Sequence, residues 1–317
     1  MERKLGAATR DAYGKALIDI GKEHANVIVM DADLSKSTRT DGFGKAFPER
    51  FIDIGIQEAN LVGIAAGLAS CGKIPVISSF ACFLMCKGYD QLRMGVAFPE
   101  LPVKVITSHG GISIGEDGAS QQSVEDFALA ATLPNFTVIV PSDEFEAKAL
   151  IKQCITHKGP VYVRTGRSKA PIIYNENSKF EIGKGIQLRQ GTDVTLVACG
   201  LLVFEALDAA DKLKAKGISA SVIDIHTLKP IDKDLLIADA KKTGAVVTAE
   251  EHLIWGGLGS VVSQTLSQYH PVPVEFVGLN DTYAESGDPD ELLNKYGLNS
   301  DTIVKAAEKV ISHRPSK

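Results

Sequence analysis

Residues able to do acid–base chemistry and to bind anions collect just after short apolar runs in the first half of the chain. Asp31, Asp33, Ser35 and Ser37 follow Val27-Met30, and Gly55-Ile56-Gln57-Glu58 follows Phe51-Ile54. Ser79-Phe80 follows Val76-Ser78. Ser108-His109-Gly110-Gly111 and then Gly115-Glu116-Asp117-Gly118 follow Val103-Thr107, while Arg164 and Arg167 close the run at Val161. Carboxylates, hydroxyls, an imidazole and guanidinium groups gathered in this way predict a binding site. Glu58 heads a segment, Ala59 to Ser70, in which nearly every residue is apolar or small, so the helix is expected to be buried all round. A carboxylate at its start needs a partner. Complementing the positive end of the helix dipole is the plain alternative use for it.

The apolar runs that carry these groups are continuous rather than alternating, which predicts strands covered on both faces. Phe136-Val140 is a further strand of this kind. Helical patterns over Ala8-Gly21, Glu58-Ser70, Cys82-Val96, Val124-Thr132 and Asp143-His157 fall between them, the rhythm of a mainly parallel sheet. In such a sheet ligands sit beyond the carboxyl ends of the strands, where the polar residues above gather. Lys169 to Gly191 is polar and broken by Pro171, Asn175 and Asn177, which predicts a linker. Strands Val194-Ala198, Ala220-Ile225, Ala245-Ala249 and Val274-Val277, with helices between them, then predict a second, smaller sheet. The fold class is therefore α/β with two doubly wound domains, residues 1–175 and 190–317.

Composition narrows the functions. A net charge of -5 without a basic cluster gives no broad attraction for nucleic acid or an anionic membrane, which favours a small-molecule partner. No apolar run is long enough to span a bilayer, and the opening Met1-Glu2-Arg3-Lys4-Leu5-Gly6 lacks a signal-peptide core, so a cytoplasmic location is expected. Five cysteines, Cys71, Cys82, Cys86, Cys154 and Cys199, are an odd number in a chain large enough to fold without disulfides. Cys82 and Cys86 share a helical face, but no second pair completes a metal site, so packing is their expected use. Gly257-Leu258-Gly259 lacks the third glycine of a dinucleotide fingerprint.

Asp31-Ala32-Asp33-Leu34-Ser35-Lys36-Ser37, Ile54-Gly55-Ile56-Gln57-Glu58, Gly115-Glu116-Asp117-Gly118, Leu133-Pro134-Asn135-Phe136 with Val140-Pro141-Ser142-Asp143, and Glu250-Glu251-His252 with Gly256-Gly257-Leu258-Gly259 occur in one order along the chain. In that order they resemble the transketolase family almost end to end. The resemblance implies a pyrimidine-binding domain followed by a C-terminal domain. It also implies thiamine diphosphate as cofactor, and reversible transfer of a two-carbon ketol unit from a ketose phosphate to an aldose phosphate in the pentose phosphate pathway. On the cofactor side it places Glu58 as the activating acid, Phe80 and Phe83 as the ring platform, and Ile56 and Asp33 as neighbouring contacts. A glutamic acid kept from water can hold a proton toward a ring nitrogen, which is the chemistry this cofactor needs. On the substrate side the resemblance places Arg10, Ser37, His109 and Arg164 as a phosphate clamp, with Asp117 and Gln121 on sugar hydroxyls. Gln121 stands where some relatives carry histidine, and Cys86 or Tyr89 where many carry a third ring.

The chain has no Gly-Asp-Gly with a following Asn, the motif that resemblance ties to the diphosphate and its metal. A partner chain resembling the N-terminal part of a transketolase is therefore expected to bring that wall with its Mg or Ca ion, in a two-plus-two heterotetramer. The near alternatives are a deoxyxylulose-phosphate synthase, the beta chain of a 2-oxo-acid dehydrogenase, and a non-catalytic stabilising subunit.

Overall fold

Residues 3–314 are described by a computed structural model; Met1 and Glu2 of the opening stretch lie outside them. The larger sheet has seven strands in the order Thr227–Lys229, Thr137–Ile139, Val161–Arg164, Lys104–Thr107, Ile74–Ser78, Val27–Asp31 and Phe51–Asp53. All pairs are parallel except that of Thr227–Lys229 with Thr137–Ile139. Successive side chains point to opposite faces, so Val27 and Val29 pack with Tyr13, Leu17 and Leu150 on one side. Met30 and Val105 pack with Leu61, Val96 and Phe127 on the other. Fully burying one Leu such as Leu17 or Leu61 stabilises the fold by roughly 1.5–3 kcal/mol.

The second sheet has five strands in the order Val274–Leu279, Val246–Leu253, Val194–Ala198, Ala220–Asp224 and Ile186–Arg189, the last antiparallel. Leu202–Ala215 and Ser300–Ser312 cover one face. Val197 and Ile223 of its other face, with Leu258 and Leu266 of the helix Leu258–Tyr269, belong to the same apolar cluster as Leu61 and Phe127. The two domains thus share a core.

Three expectations from the sequence change. The stretch read as linker contains two short strands: Lys169–Pro171 pairs antiparallel with Leu5–Ala8, and Ile186–Arg189 joins the second sheet. Thr227–Lys229 crosses back to edge the first sheet. Strands of three or four residues carry too little pattern to be seen alone, and each depends on a partner far away in the chain. The helix expected over Cys82-Val96 is broken at Gly88 into Ala81–Lys87, Tyr89–Gln91 and a π-helical Leu92–Ala97. A Cβ at Gly88 would sit 2.9 Å from Leu84 O and 3.0 Å from Val62, so only glycine allows this turn to lie against the Glu58 helix. That helix, Glu58–Ser70, is not buried all round in the single chain, because Asn60, Gly63, Gly67 and Ser70 are exposed.

The seam between the domains holds two facing carboxyls. Glu146 Oε2 accepts from the Ser142 backbone N–H (2.7 Å) and hydroxyl (2.8 Å), and Tyr174 donates to Asp224 Oδ2 at 2.8 Å. Glu146 Oε1 and Asp224 Oδ1 are buried with no donor, and a proton shared between the two groups would fill that gap. Burial pushes Asp224 up to about 7, and burial plus the Asp224 charge pushes Glu146 well above the usual carboxylate range; Asp143 adds to both. A folded-state pKa raised above the unfolded one gives stability that is full below about pH 4 and is lost as pH rises through about 7. Urea unfolding is expected to show this loss, at up to about 1.4 kcal/mol per pH unit for one retained proton. Glu146→Gln keeps a donor and should flatten the slope; an unchanged slope in that variant would exclude the shared proton.

Candidate functional site

Glu58 is the first residue of its helix and is buried. Ser79 Oγ donates to its Oε1 at 3.2 Å, and Lys87 Nζ lies 3.6 Å from its Oε2. Ser79 follows Ile74–Ser78, the strand that the Glu58 helix leads into and packs against, and this brings acid and donor together. Immediately beyond, Phe80 and Phe83 stack with ring centres 5.5 Å apart and planes 18° apart. The Lys87 ammonium stands 4.4 Å over the Phe83 ring. The site therefore joins a desolvated carboxylate to a flat apolar platform, the donor set and surface that suit a protonatable aromatic ring. Tyr89 adds no third ring: its hydroxyl is bound to Leu129 O (3.2 Å) and Thr132 Oγ1 (2.7 Å). Cys86 is exposed, with Sγ 3.7 Å from Glu125 Oε1. Ile56 is 70 % exposed beside the mouth of the helix. Asp33 has φ 63° and donates its backbone N–H to Asp53 Oδ1 at 3.0 Å; Gly55 N–H binds the same oxygen at 3.0 Å.

Phe80 also stacks on His109, ring centres 3.8 Å apart. The platform thereby continues into a second polar group. Arg10 Nη1 donates to Ser37 O at 3.0 Å and lies 3.1 Å from His109 Nε2. His109 has φ 62°, in the left-handed region that side chains other than glycine rarely adopt. Burial, then Arg10, Arg167 and Arg39, hold His109 far below the ordinary histidine range, at about 3, so the ring is neutral. Burial and then Arg39 also lower the proton affinity of Arg10. Asp31 shapes this loop rather than facing the cleft. It accepts from Leu34 N–H (2.7 Å), Thr38 Oγ1 (2.6 Å) and Thr40 Oγ1 (2.8 Å), and burial raises it to about 6. Asp117 is exposed in the turn Gly115 to Gly118, and Gln121 is half-buried just after it.

The structure brings Arg10, Ser37 and His109 together but not Arg164. That side chain is buried, with Nη1 donating to Glu251 O (2.9 Å), Nη2 to Ser123 O (2.6 Å) and Nε 3.3 Å from Asp126 Oδ2. Its guanidinium also lies 4.3 Å from the centre of Phe127. Arg164 is the last residue of a strand covered on both faces, so it points into the core. Past Gly166 the chain reaches the cleft, and Arg167 is the basic residue there. Arg167 is half-buried, pairs with Glu116 Oε2 at 2.8 Å, donates to Ile114 O, and acts electrostatically on both Arg10 and His109. Counting three residues beyond the strand end was the signal for it in the sequence.

Two family models match this chain: the pyrimidine-binding domain of transketolase over residues 6–172 and the transketolase C-terminal domain over residues 183–303. The chain belongs to the transketolase family. It is 45% identical over 299 residues to a putative transketolase C-terminal section from Methanocaldococcus jannaschii, covering 93% of this chain and 94% of that one. It is 40% identical over 305 residues to a 6-deoxy-6-sulfo-D-fructose transketolase subunit from a Clostridium species, covering 96% and 95%. Against human transketolase it is 37% identical over 309 residues, 96% of this chain but only 49% of the human one. A solved structure described as a split-gene transketolase, inactive beta4 tetramer, superposes with a TM-score of 0.92 at 48% identity, covering 98% and 100%.

Membership implies use of thiamine diphosphate, and the residues present fit its aminopyrimidine. Glu58 Oε1 has one neutral donor and Oε2 only the ammonium at 3.6 Å, beside a paired aromatic face. No group of three or more His, Cys, Asp or Glu able to hold a metal occurs among the described residues. No helix there is long and apolar enough to cross a membrane.

Proposed function

We propose that this chain is the C-terminal subunit of a two-chain transketolase that moves a two-carbon ketol unit from a ketose phosphate to an aldose phosphate, in the cytoplasm and within the pentose phosphate pathway. The observation that carries the reading is the continuity of acid, platform and anion clamp: Glu58 touches Ser79, and the adjoining Phe80 stacks on both Phe83 and His109. Thiamine diphosphate, when bound, supplies the nucleophilic carbon and the stabilisation of charge at the cleaved bond. This chain's residues do the rest of their half. Glu58 holds a proton toward the pyrimidine, Phe80 and Phe83 exclude water from its face, and Ile56 and Asp33 border the pocket. Arg10, Ser37, His109 and Arg167 receive the tetrahedral anion, with Arg167 taking the place that the sequence suggested for Arg164. Asp117 and Gln121 lie where sugar hydroxyls pass between clamp and platform. A clamp of this kind takes any tetrahedral oxyanion, and relatives named for a sulfo-sugar and for apulose-4-phosphate are in keeping with that. The clamp also weighs against an oxo-acid dehydrogenase.

The N-terminal partner subunit would bind the diphosphate with its Mg or Ca ion. Support comes from the open face of the Glu58 helix at Gly63 and Gly67, where a Cβ would meet nothing within 4 Å, and from Phe98, which is 78 % exposed. Association as a dimer, and as a two-plus-two heterotetramer, follows from the same surface. The test is ketol transfer by this chain alone and mixed with the partner and thiamine diphosphate. Turnover is expected only from the mixture, and turnover by the isolated chain would sink the two-chain reading. In the mixture, Arg167→Ala should raise KM for phosphorylated sugars about 10- to 100-fold, the worth of a charge-assisted hydrogen bond, and leave unphosphorylated sugars unaffected. An equal effect on both would remove Arg167 from the clamp.

A further inference from the structure

We infer that Ser108, able to accept from or donate to Nδ1, lets His109 carry its proton on either nitrogen and so switch from holding Arg10 in the empty cleft to donating to a bound phosphate. The inference rests on the anion clamp proposed above and concerns a residue outside it. Ser108 Oγ lies 2.7 Å from His109 Nδ1, and both groups are buried. On the other side of the ring, Arg10 Nη1 lies 3.1 Å from Nε2. A guanidinium has only hydrogens to offer, so Nε2 must present its lone pair, and the single proton of the neutral ring must be on Nδ1, donated to Ser108 Oγ. In this state His109 is an acceptor toward the cleft. The dianion of a phosphate monoester also has only acceptors, and two acceptors facing each other across the clamp repel.

Binding therefore requires the other tautomer. When the Arg10 fork turns to the anion, Nε2 is released. One proton leaves Nδ1 and one arrives at Nε2, and the ring is neutral before and after. Nδ1 then needs a donor in place of an acceptor. A hydroxyl is both, and Ser108 changes role by rotation about a single bond. An aliphatic side chain there would leave Nδ1 buried and unpaired in both states. The hydroxyl does this without disturbing the frame. Ser108 is held by its backbone, N–H to Ser79 O at 3.2 Å and C=O from Ala81 N–H at 2.9 Å, and these bonds survive replacement of the side chain. The same bridge ties Ser108 to Phe80, which stacks on His109 and follows the Ser79 that binds Glu58. Phosphate recognition and the cofactor acid thus meet across one pair of residues. Ser108 is a positioning residue: it acts through His109 and touches neither substrate nor cofactor.

The experiment is nitrogen-15 NMR of the full chain labelled at histidine, with His109 assigned by its loss in His109→Gln and methyl phosphate, a monoester, as the probe. Without phosphate the proton is expected on Nδ1, and at saturation on Nε2. In Ser108→Ala the His109 Nδ1 resonance should shift in both states, because one hydrogen bond is lost in each, and Ser108→Thr should return it. A proton on the same nitrogen with and without phosphate, an Nδ1 resonance in Ser108→Ala unchanged from wild type, or failure of Ser108→Thr to restore it overturns the inference. Absence of ketol transfer from the wild-type assembly, with a phosphate switch that depends on Ser108, would overturn the proposed activity and leave this inference standing.

Discussion

Replacing Glu58 with glutamine is expected to lower kcat of the assembled enzyme by roughly 10²- to 10⁴-fold, the range that a positioned acid contributes. The two side chains have the same shape, and the glutamine oxygen can still accept from Ser79 Oγ, now 3.2 Å from Glu58 Oε1. An amide cannot hold and return the proton. The change therefore isolates the acid–base step from the geometry. KM for the sugar phosphate should move little, because Arg10, His109 and Arg167 lie on the far side of Phe80 from Glu58. The fold should not suffer, since an uncharged group is easier to bury than a carboxylate, and Lys87, whose side chain is half in water, can turn outward. Single-turnover ketol transfer and a thermal unfolding curve on the same preparation check both halves. A variant that kept more than about a hundredth of the wild-type rate would remove Glu58 from the activating role, as the lower end of that range requires.

The acid was legible because an apolar helix with one carboxylate at its head is an electrostatic anomaly in any sequence. The strands that place it were legible for a related reason: strands buried on both faces read as unbroken β-branched runs, and Val161–Arg164 and Val194–Ala198 match residue for residue. Short strands at Leu5–Ala8, Lys169–Pro171 and Thr227–Lys229 were not, because their stability comes from partners more than 80 residues away rather than from their own pattern. Arg10 shows the limit from the other side. Nothing in its own neighbourhood marks it, yet the fold brings it within 3.1 Å of His109, and only the family resemblance pointed there. Arg164 and Arg167 show how direction is lost in one dimension. Both stand near a strand end, and the sequence does not say which points into the core. That depends on the second domain, whose Glu251 supplies the carbonyl that receives Arg164.

Arg164 consequently carries the other large prediction, and it concerns stability rather than binding. Burial works against its charge, but Asp126 and then Glu251 outweigh it, so the guanidinium is held protonated with Asp126 3.3 Å away. Arg164→Met keeps most of the buried stem and removes the cation. Asp126, whose Oδ1 already lacks a partner, and Glu251, which accepts from Ser113 N–H at 2.6 Å, would then face each other's charge uncompensated. Breaking a buried pair in this way costs about 3–5 kcal/mol, a large part of the stability of an ordinary domain. Urea unfolding should register that loss, and combining Arg164→Met with Asp126→Asn should recover part of it, because the stranded charge is then gone. The loss should also reach the clamp without selecting among substrates. A Cβ at Gly110 would lie 1.8 Å from Arg164 Nε and one at Gly111 2.2 Å from the Glu251 carboxyl, so the loop that carries His109 is seated directly on this pair. A loosened seat weakens phosphorylated and unphosphorylated sugars alike. If Arg164→Met instead unfolded within about 0.5 kcal/mol of wild type, the ordinary range for a surface change, and raised KM only for phosphorylated sugars, Arg164 would belong in the clamp and its buried contacts would be incidental.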